Sequence, residues 1–206
     1  LGPEQLVLEV EEDLLVHVTQ FFRDREVLDK LISHVVPELV GDRPVDDPVR
    51  VWVPGCSTGE EVYSLAMLLL ERLGERRLQL FGSDLSEKAI ETARFGRYPA
   101  SIAEQVGATR LERFFHREDG SYRINKDVRE RCVFVRHDLV TDPPFSRLDL
   151  VSCRNVLIYL GAPLQKRVIP VFHYALNQPG YLLLGRAETI TGFESLFSVV
   201  DAESRI

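Results

Sequence analysis

The sequence predicts an α/β fold with a doubly wound, mainly parallel β-sheet. Short apolar segments of strand length, such as residues 49–54 (VRVWVP) and 78–84 (LQLFGSD), alternate with stretches of helical periodicity. A loop with two glycines, residues 55–59, directly follows the first of these strands. Parallel strands need crossover connections, so this alternation places helices on both faces of one sheet. The pattern is that of a Rossmann-like sheet.

The remaining elements follow in chain order. Apolar residues at helical spacing predict an amphipathic helix over residues 24–39 and a second helix over residues 60–73. Ser86 is the predicted N-cap of a helix over residues 87–95. Later in the chain the pattern predicts strands over 132–138, 148–155 and 180–186, a helix over 163–176 that Pro170 interrupts or kinks, and an edge strand over 197–201.

Domain boundaries follow from breaks in this rhythm. Residues 1–48 form a lead and a first helix, and residues 49–206 form the main domain. Within the main domain, residues from about 97 to 131 depart from the alternation. They predict a helical piece and a β-hairpin that turns at Asp119-Gly120, projecting from the sheet as a small inserted subdomain.

Composition excludes several classes of function. The chain has 206 residues, 45% of them apolar, and a net charge of −7, so it lacks the basic footprint of a nucleic-acid-binding protein. It contains no apolar run of the roughly 20 residues that cross a bilayer, so direct membrane insertion is not expected. Cys56, Cys132 and Cys153 form no C-x-x-C pair. They indicate buried thiols in a cytoplasmic protein, with no metal site.

The glycine loop, Gly55-Cys56-Ser57-Thr58-Gly59, is open to several interpretations. It matches the G-x-S-x-G pattern of a hydrolase nucleophile elbow, but only one strand precedes it and no upstream oxyanion loop is present. It is not a phosphate-binding P-loop, because no Lys-Ser/Thr follows the second glycine. The dinucleotide pattern G-x-G-x-x-G is broken at Ser57. A capped turn and a cofactor-binding loop remain.

Acidic residues favour the cofactor-binding interpretation. Glu60 and Glu61 open the helix after the loop, where they would repel a pyrophosphate and attract a cation. Asp84 and Asp138 end two predicted strands, and an acid at the end of the second strand can accept hydrogen bonds from both ribose hydroxyls. Together they predict a pocket for a positively charged nucleoside. S-adenosylmethionine, with its sulfonium and ammonium groups, fits this description.

Five segments of the chain, taken in order, resemble the CheR family, the chemoreceptor glutamate methyltransferases of bacterial chemotaxis. The segments are VTQFFRD, VPGCSTGEEVYS, GSDLSEKAIETARFGRY, LVSCRNVLIYL and FHYALNQPGYLLLGRAETITGFESLFSVVD. The last of these is similar to the CheR portion of hybrid signalling proteins that also carry a methylesterase domain. The resemblance implies a class I S-adenosylmethionine-dependent methyltransferase fold. It also implies transfer of a methyl group to glutamate side chains of chemoreceptor cytoplasmic helices.

The resemblance also implies residue roles. Arg23 would lie near the transferable methyl group and Tyr159 would face the site of transfer, which makes these two the predicted catalytic residues. Glu60 would hold the methionyl ammonium group and Asp84 the ribose hydroxyls. The other predicted cofactor contacts are His17 and Thr19, the loop residues Gly55, Cys56 and Ser57, Leu85, Asp138 and Leu139 around the adenine, and Arg154 and Asn155 at the methionyl end.

The chain departs from the family pattern in three places. His17 stands where members of the family have asparagine. The helical N-terminal domain of the family is absent ahead of residue 14, so either a truncated form or a piece of a hybrid protein is expected. The hairpin segment FFHREDGSYRI lacks a glycine-rich insertion, so tight binding to a receptor's C-terminal pentapeptide tether is not expected. A non-catalytic sensor of S-adenosylmethionine or S-adenosylhomocysteine is the alternative function.

Two further features have competing interpretations. The segment DPPF, residues 142–145, mimics a motif of amine methyltransferases, but it precedes a predicted strand instead of following one and therefore indicates a turn. Basic and acidic residues alternate over residues 110–131. They form either a solvated mixed face or a docking surface for an acidic helical substrate, and these two differ in their salt dependence.

Overall fold

The computed structural model describes residues 19–41, 43–74 and 76–206. His17 therefore lies outside the described residues. The strands are β1 (Val49–Pro54), β2 (Leu78–Asp84), β3 (Arg97–Pro99), β4 (Phe115–Glu118), β5 (Ser121–Ile124), β6 (Cys132–Arg136), β7 (Leu148–Cys153) and β8 (Leu176–Leu184). The α-helices are α1 (Arg25–Lys30), α2 (Val36–Val40), α3 (Glu60–Leu73), α4 (Glu87–Phe95), α5 (Ala103–Val106), α6 (Ala108–Phe114), α7 (Lys126–Arg129) and α8 (Ala162–Ala175).

The main sheet has five parallel strands in the order β6-β2-β1-β7-β8. Val51 of the central strand β1 is in register with Leu80 of β2 on one side and Leu150 of β7 on the other. The chain builds outward from β1 through β2 to β6, then returns to place β7 on the opposite side. This reversal creates a topological switch point beside β1, where such sheets bind ligands. The predicted doubly wound parallel sheet is confirmed.

Alternation along β1 supplies a core on each face of the sheet. Val51 and Val53 belong to the apolar cluster shared with α3, whereas Trp52 between them belongs to the cluster shared with α8. Successive strand residues point to opposite faces, so both faces bury apolar side chains. Trp52 is fully buried and its indole Nε1 donates to Ser83 Oγ at 2.9 Å. This bond satisfies the one polar group of the side chain.

The inserted region forms a second sheet, antiparallel and three-stranded, in the order β3-β5-β4. The predicted hairpin is present as β4 and β5, with Asp119 and Gly120 between them at positive φ. Strand β3 was not predicted, because a three-residue segment carries no periodic signal. It pairs with β5, so that Tyr98 lies opposite Tyr122.

Several sequence expectations are corrected. Residues 197–201 form no strand, because Val200 N donates to Ile206 O and Ile206 N to Asp201 O, which leaves that backbone folded on itself. Helix α8 continues through Pro170 without interruption. The first helix is not uniform: a π-helical turn, Leu31–Val35, separates α1 from α2. Pro37 follows that turn, and its missing N–H removes an α-helical bond to Ser33.

Other expectations agree with the structure. Ser86 caps α4, since its side chain accepts a hydrogen bond from Ala89 N at 3.2 Å. Cys56, Cys132 and Cys153 are free thiols, and burial raises the pKa of each. Residues 142–145 lie in the connection that leads into β7.

The segment of residues 19–24, here called the N-terminal segment, is anchored by Phe21. Its ring makes edge contacts with Tyr98 at 4.9 Å and Phe115 at 5.8 Å, and it is 2% exposed. Phe21 N also donates to Gln105 Oε1 at 3.0 Å. The aromatic contacts therefore fasten this segment to the inserted sheet.

We expect Phe21→Ala to lower the free energy of unfolding by about 3–5 kcal/mol, because it empties a site of phenylalanine volume in a packed cluster. Urea denaturation followed by circular dichroism measures the change. Tyr174→Ala is the matched control, since Tyr174 is 79% exposed, and we expect it to stay within about 0.5 kcal/mol of the parent. Equal effects of the two substitutions would contradict the anchoring role of Phe21.

Candidate active site

A cavity of about 300 Å³ opens at the carboxyl ends of β1, β2 and β7. The N-terminal segment and the loop after β6 complete its wall. The predicted site residues on this wall are Thr19, Arg23, Gly55, Cys56, Ser57, Asp84, Leu85, Asp138, Leu139, Arg154, Asn155 and Tyr159. Residues separated by up to 140 positions in sequence are thus brought together, since the range runs from Thr19 to Tyr159.

The glycine loop lies directly against the end of β2. Cys56 N donates to Ser83 O at 3.0 Å, and Ser57 N donates to Asp84 Oδ2 at 2.8 Å. Gly55 has a φ of +65°, and a Cβ atom there would lie 2.4 Å from Val156 Cγ2. Only glycine fits so close to the neighbouring loop. These bonds fix the glycine loop against the end of β2, on the wall of the cavity.

Asp84 ends β2 with a fixed carboxylate. Its Oδ2 accepts from Ser57 N, and its Oδ1 accepts from Ser86 N at 3.0 Å. An ionised carboxylate oxygen can accept two hydrogen bonds, so each oxygen can take one more donor. A pair of vicinal hydroxyls matches this arrangement.

The N-terminal segment covers the cavity on one side. Phe21 and Phe22 point into the core, whereas Thr19, Gln20 and Arg23 line the cavity. Phe22 N donates to Ser64 Oγ at 2.9 Å, which ties the segment to α3. The two buried rings therefore set which side chains face the cavity.

Arg154 connects this segment to the end of β7. Its side chain is 1% exposed, and its Nη2 donates to Arg23 O at 2.9 Å and to Asp24 Oδ2 at 2.7 Å. Its Nη1 lies 3.5 Å from Glu61 Oε2. Buried charges of this kind need partners, because removal of one partner leaves an uncompensated charge.

Glu60 and Glu61 differ in where their carboxylates point. Thr58 Oγ1 donates to both oxygens of Glu60, at 2.9 and 2.7 Å, and Thr19 also bonds it. Glu61 lines the cavity, accepts from Ser152 Oγ at 2.6 Å and pairs with Arg154. Burial raises the pKa of both carboxyl groups, while Arg154 opposes the rise at Glu61. The family resemblance implies that Glu60 holds the ammonium group, yet the carboxylate on the cavity wall is that of its neighbour Glu61.

The loop after β6 is held by its own acids. Asp138 N donates to Asp142 Oδ2 at 2.8 Å, and Val140 N donates to Asp138 Oδ1 at 2.8 Å. His137 packs its ring on Phe145, at 5.6 Å between centroids, and its Nε2 faces Pro143 O at 3.0 Å. Leu139 and Val140 therefore present a fixed apolar surface to the cavity.

Tyr159 stands at the rim. It ends a 3₁₀ turn, Leu157–Tyr159, and it is 58% exposed while also lining the cavity. Ile158 beside it is 48% exposed. A side chain in this place can touch both a bound cofactor and a macromolecule docked at the opening.

Comparison with known families identifies the chain. The model of the CheR methyltransferase, S-adenosylmethionine-binding domain, matches residues 17–206. The protein belongs to the CheR methyltransferase family. S-adenosylmethionine is therefore the cofactor of this domain. The match covers the cavity and every predicted site residue.

Relatives of this CheR domain differ in length. An uncharacterized 104.1 kDa protein of Rhodobacter capsulatus is 43% identical over 94% of this chain. The chain corresponds to 21% of the length of that protein. The chemotaxis protein methyltransferase of Listeria monocytogenes is 34% identical over 86% of the chain, and chemotaxis protein methyltransferase 2 of Vibrio cholerae is 31% identical over 90%. The chain spans 67% of each of these two.

Solved structures that resemble the domain include a methyltransferase of Thiobacillus denitrificans in complex with S-adenosylhomocysteine. It is 17% identical, with a TM-score of 0.46, over 86% of this chain and 54% of its own. The glycopeptide N-methyltransferase MtfA with S-adenosylmethionine is 16% identical, with a TM-score of 0.48, over 82% of this chain and 51% of its own.

Sequence reasoning missed several wall residues of the CheR cavity. They are Gln20, Glu61, Ser83, His137, Val140, Val156, Ile158 and Leu160. Each of the eight is adjacent in sequence to a predicted residue, and Glu61 was recognised as an acid at the start of its helix but not as a site residue. Within the described ranges no helix is long and apolar enough to cross a membrane, and no cluster of His, Cys, Asp or Glu could hold a metal ion.

We expect Glu61→Gln to weaken binding of S-adenosylhomocysteine about tenfold, the equivalent of ~1.4 kcal/mol, because the cavity loses a carboxylate that faces the ligand's ammonium group. Titration calorimetry measures the dissociation constant. Glu60→Gln is the matched variant, and its effect should be smaller. The reverse order would assign the ammonium group to Glu60, as the sequence predicts.

Cofactor affinity should fall as the pH is lowered. Burial raises the pKa values of Glu60 and Glu61, so each takes up a proton at a higher pH than an exposed glutamate does. Binding of a cation needs the ionised form, hence affinity is full above the raised pKa values and declines below them. Calorimetric titrations from about pH 8 to about pH 5 test this. A curve for Glu61→Gln as steep as that of the parent would refute the contribution of Glu61.

Proposed function

We propose that the domain is a protein-glutamate O-methyltransferase, which transfers a methyl group from S-adenosylmethionine to glutamate side chains of chemoreceptors. The observation that carries the proposal is that Arg23, from the N-terminal segment, and Tyr159, from the rim, both line the cofactor cavity. A guanidinium and a phenol are hydrogen-bond donors suited to a carboxylate. The site therefore suits an acidic acceptor.

The cofactor would be held along the cavity wall by groups already in place. Asp84 would bind the ribose hydroxyls, and Asp138 with Leu139 would contact the adenine. Glu61 or Glu60 would accept a hydrogen bond from the methionyl ammonium group, and Asn155, which also lines the cavity, would contact the methionyl part. Bound in this way, S-adenosylmethionine supplies an electrophilic methyl group on a sulfonium.

The acceptor needs no general base. A glutamate carboxylate has a pKa of about 4.3, so it is already ionised at neutral pH. The task of the protein is to hold one carboxylate oxygen in line with the methyl group and to exclude water. Arg23 and Tyr159 would orient the carboxylate through hydrogen bonds from its far side. A positioning function of this kind leaves one oxygen lone pair available for the transfer.

The proposed partners are helices of chemoreceptor cytoplasmic regions, so the domain would act in the cytoplasm. The mixed surface of the inserted region is partly neutralised, since Arg110 pairs with Glu71 of α3 and Lys126 with Glu130. This favours the solvated-face interpretation for these two residues. We expect no tight binding of a receptor's C-terminal pentapeptide. Calorimetry with such a peptide can test this.

The second candidate function is a sensor that binds the cofactor without transferring its methyl group. It is favoured by the construction of the cavity, which is formed by residues between 19 and 160 of this chain alone. A sensor would need only this cavity, without a docked substrate.

Incubation with radiolabelled S-adenosylmethionine and receptor cytoplasmic fragments separates the two. Label that becomes attached to the receptor and is released by mild base identifies a methyl ester, as expected for the transferase. Cofactor binding in calorimetry without transfer to any fragment would instead support the sensor.

Replacing the donors at the transfer end should slow methylation without abolishing cofactor binding. We expect Tyr159→Phe to lower kcat about tenfold, the equivalent of one hydrogen bond of ~1.4 kcal/mol. Arg23→Ala should lower it further, because a charge-assisted bond is stronger. Tyr174→Phe is the control, since Tyr174 is 79% exposed. Parent-like rates for Arg23→Ala or Tyr159→Phe would remove that residue from the transfer site.

A further inference from the structure

Glu188 is a buried carboxylate that the sequence analysis did not select. It follows β8 and is 3% exposed. It accepts hydrogen bonds from four backbone N–H groups: Asn155 at 2.9 Å, Val156 at 2.8 Å, Leu157 at 2.7 Å and Gly185 at 2.7 Å. Three of these donors belong to the loop after β7. The carboxylate therefore joins that loop to the end of the neighbouring strand.

The three loop N–H groups point to one place because two successive residues of the loop have backbone conformations of opposite handedness. Asn155 is left-handed at a φ of 59°, and Val156 is right-handed at −115°. Successive residues of opposite hand turn their N–H groups toward one point and make an anion-binding concavity. Here the anion belongs to the protein itself. Its charge-assisted bonds hold Asn155 in a conformation that costs energy for residues other than glycine.

The carbonyl groups of the same loop are held from another side. Gln165, in α8, donates from Nε2 to Leu157 O at 2.9 Å and to Leu160 O at 2.9 Å. Residues 155–160, here called the rim loop, thus have their N–H groups bound by one side chain and their C=O groups by another.

The rim loop forms a large part of the cofactor cavity. Asn155, Val156, Ile158, Tyr159 and Leu160 all line it. The glycine loop depends on it as well, because space for a Cβ at Gly55 is taken by Val156. A shift of the rim loop would therefore displace both the methionyl end of the cavity and Tyr159.

We propose that Glu188 is a positioning residue for the transfer step, one that acts by fixing the rim loop in the shape that places Asn155 and Tyr159. Its carboxylate does not line the cofactor cavity, so it acts through the loop and not by touching the cofactor. The effect on transfer rests on the proposed methyltransferase function, whereas the effect on loop geometry and on cofactor affinity does not.

Glu188→Gln is the sharpest test, because it keeps the shape and removes the charge. One carboxylate oxygen becomes an NH₂ group that faces two N–H donors, so two of the four bonds are lost. We expect amide hydrogen exchange in peptides covering residues 154–160 to accelerate, while peptides from β2 keep the parent rate. Glu194→Gln is the matched control, since Glu194 is exposed and bonds only locally, to Gly192 N at 3.0 Å.

The functional readouts are kcat for receptor methylation and the dissociation constant for S-adenosylhomocysteine. In Glu188→Gln we expect kcat to fall by up to about tenfold, the loss expected when the Tyr159 hydroxyl is removed, and cofactor affinity to fall less. In the Tyr159→Phe background the same substitution should cost much less in kcat, since both changes act on one group. If Glu188→Gln merely reduced the fraction of folded protein, the kcat losses of the two substitutions would multiply in the double variant.

Unchanged exchange over residues 154–160 would overturn the proposal, as would faster exchange with unchanged kcat. If the parent itself transfers no methyl group, the proposed function fails and cofactor affinity decides: a severalfold loss in Glu188→Gln supports the positioning function, and an unchanged affinity refutes it. Should Glu188→Gln not fold, Glu188→Asp keeps the charge on a shorter arm and is measured in the same way.

Discussion

The guanidinium of Arg154 joins three parts of the chain that are far apart in sequence. It bonds Arg23 O and Asp24 in the N-terminal segment, and it pairs with Glu61 in α3. Its own backbone belongs to the loop after β7. A fully buried charge keeps its position only while its partners remain. The same residue therefore closes the cavity and orients the segment that carries Arg23.

Around this charge the site is built mostly from backbone groups held by acidic side chains. Asp84 accepts from the glycine loop, Asp138 accepts from its own loop, and Glu188 accepts from the rim loop. Each carboxylate restrains irregular backbone that no strand or helix could hold. The common result is a set of preformed loops at the edge of a rigid parallel sheet, which lowers the ordering cost of cofactor binding.

The two sheets contribute to the site in different ways. The parallel sheet is buried on both faces and supplies the rigid edge, as the positions of Val51 and Trp52 show. The antiparallel sheet holds Phe21 through Tyr98 and Phe115, so it positions the segment that covers the cavity. Tyr98 also donates to Thr58 O at 2.7 Å, which links this sheet to the glycine loop. The inserted region is thus in direct contact with the glycine loop and with the N-terminal segment of the cofactor site.

Much of the fold and of the site could be predicted from the sequence. Strands such as residues 49–54 are short apolar runs, Ser86 is a recognisable cap, and acids at strand ends mark the carboxyl edge of the sheet. The wrong predictions concern segments whose local pattern is outweighed by contacts in the folded chain. The apolar run at 197–201 pairs with Ile206 and not with the sheet, and Pro170 is accommodated in a continuous helix.

The sequence by itself determined the parallel sheet, the order of its loops and the acids that end its strands, Asp84 and Asp138. Periodicity and motif spacing are local properties of the chain, so they can be recognised without knowing which residues are in contact in the fold. Only the tertiary structure decided which of Glu60 and Glu61 faces the cavity, that Arg154 is buried against Asp24, and that Glu188 holds the rim loop. These depend on contacts between residues up to 130 positions apart, and no local pattern encodes such a distance.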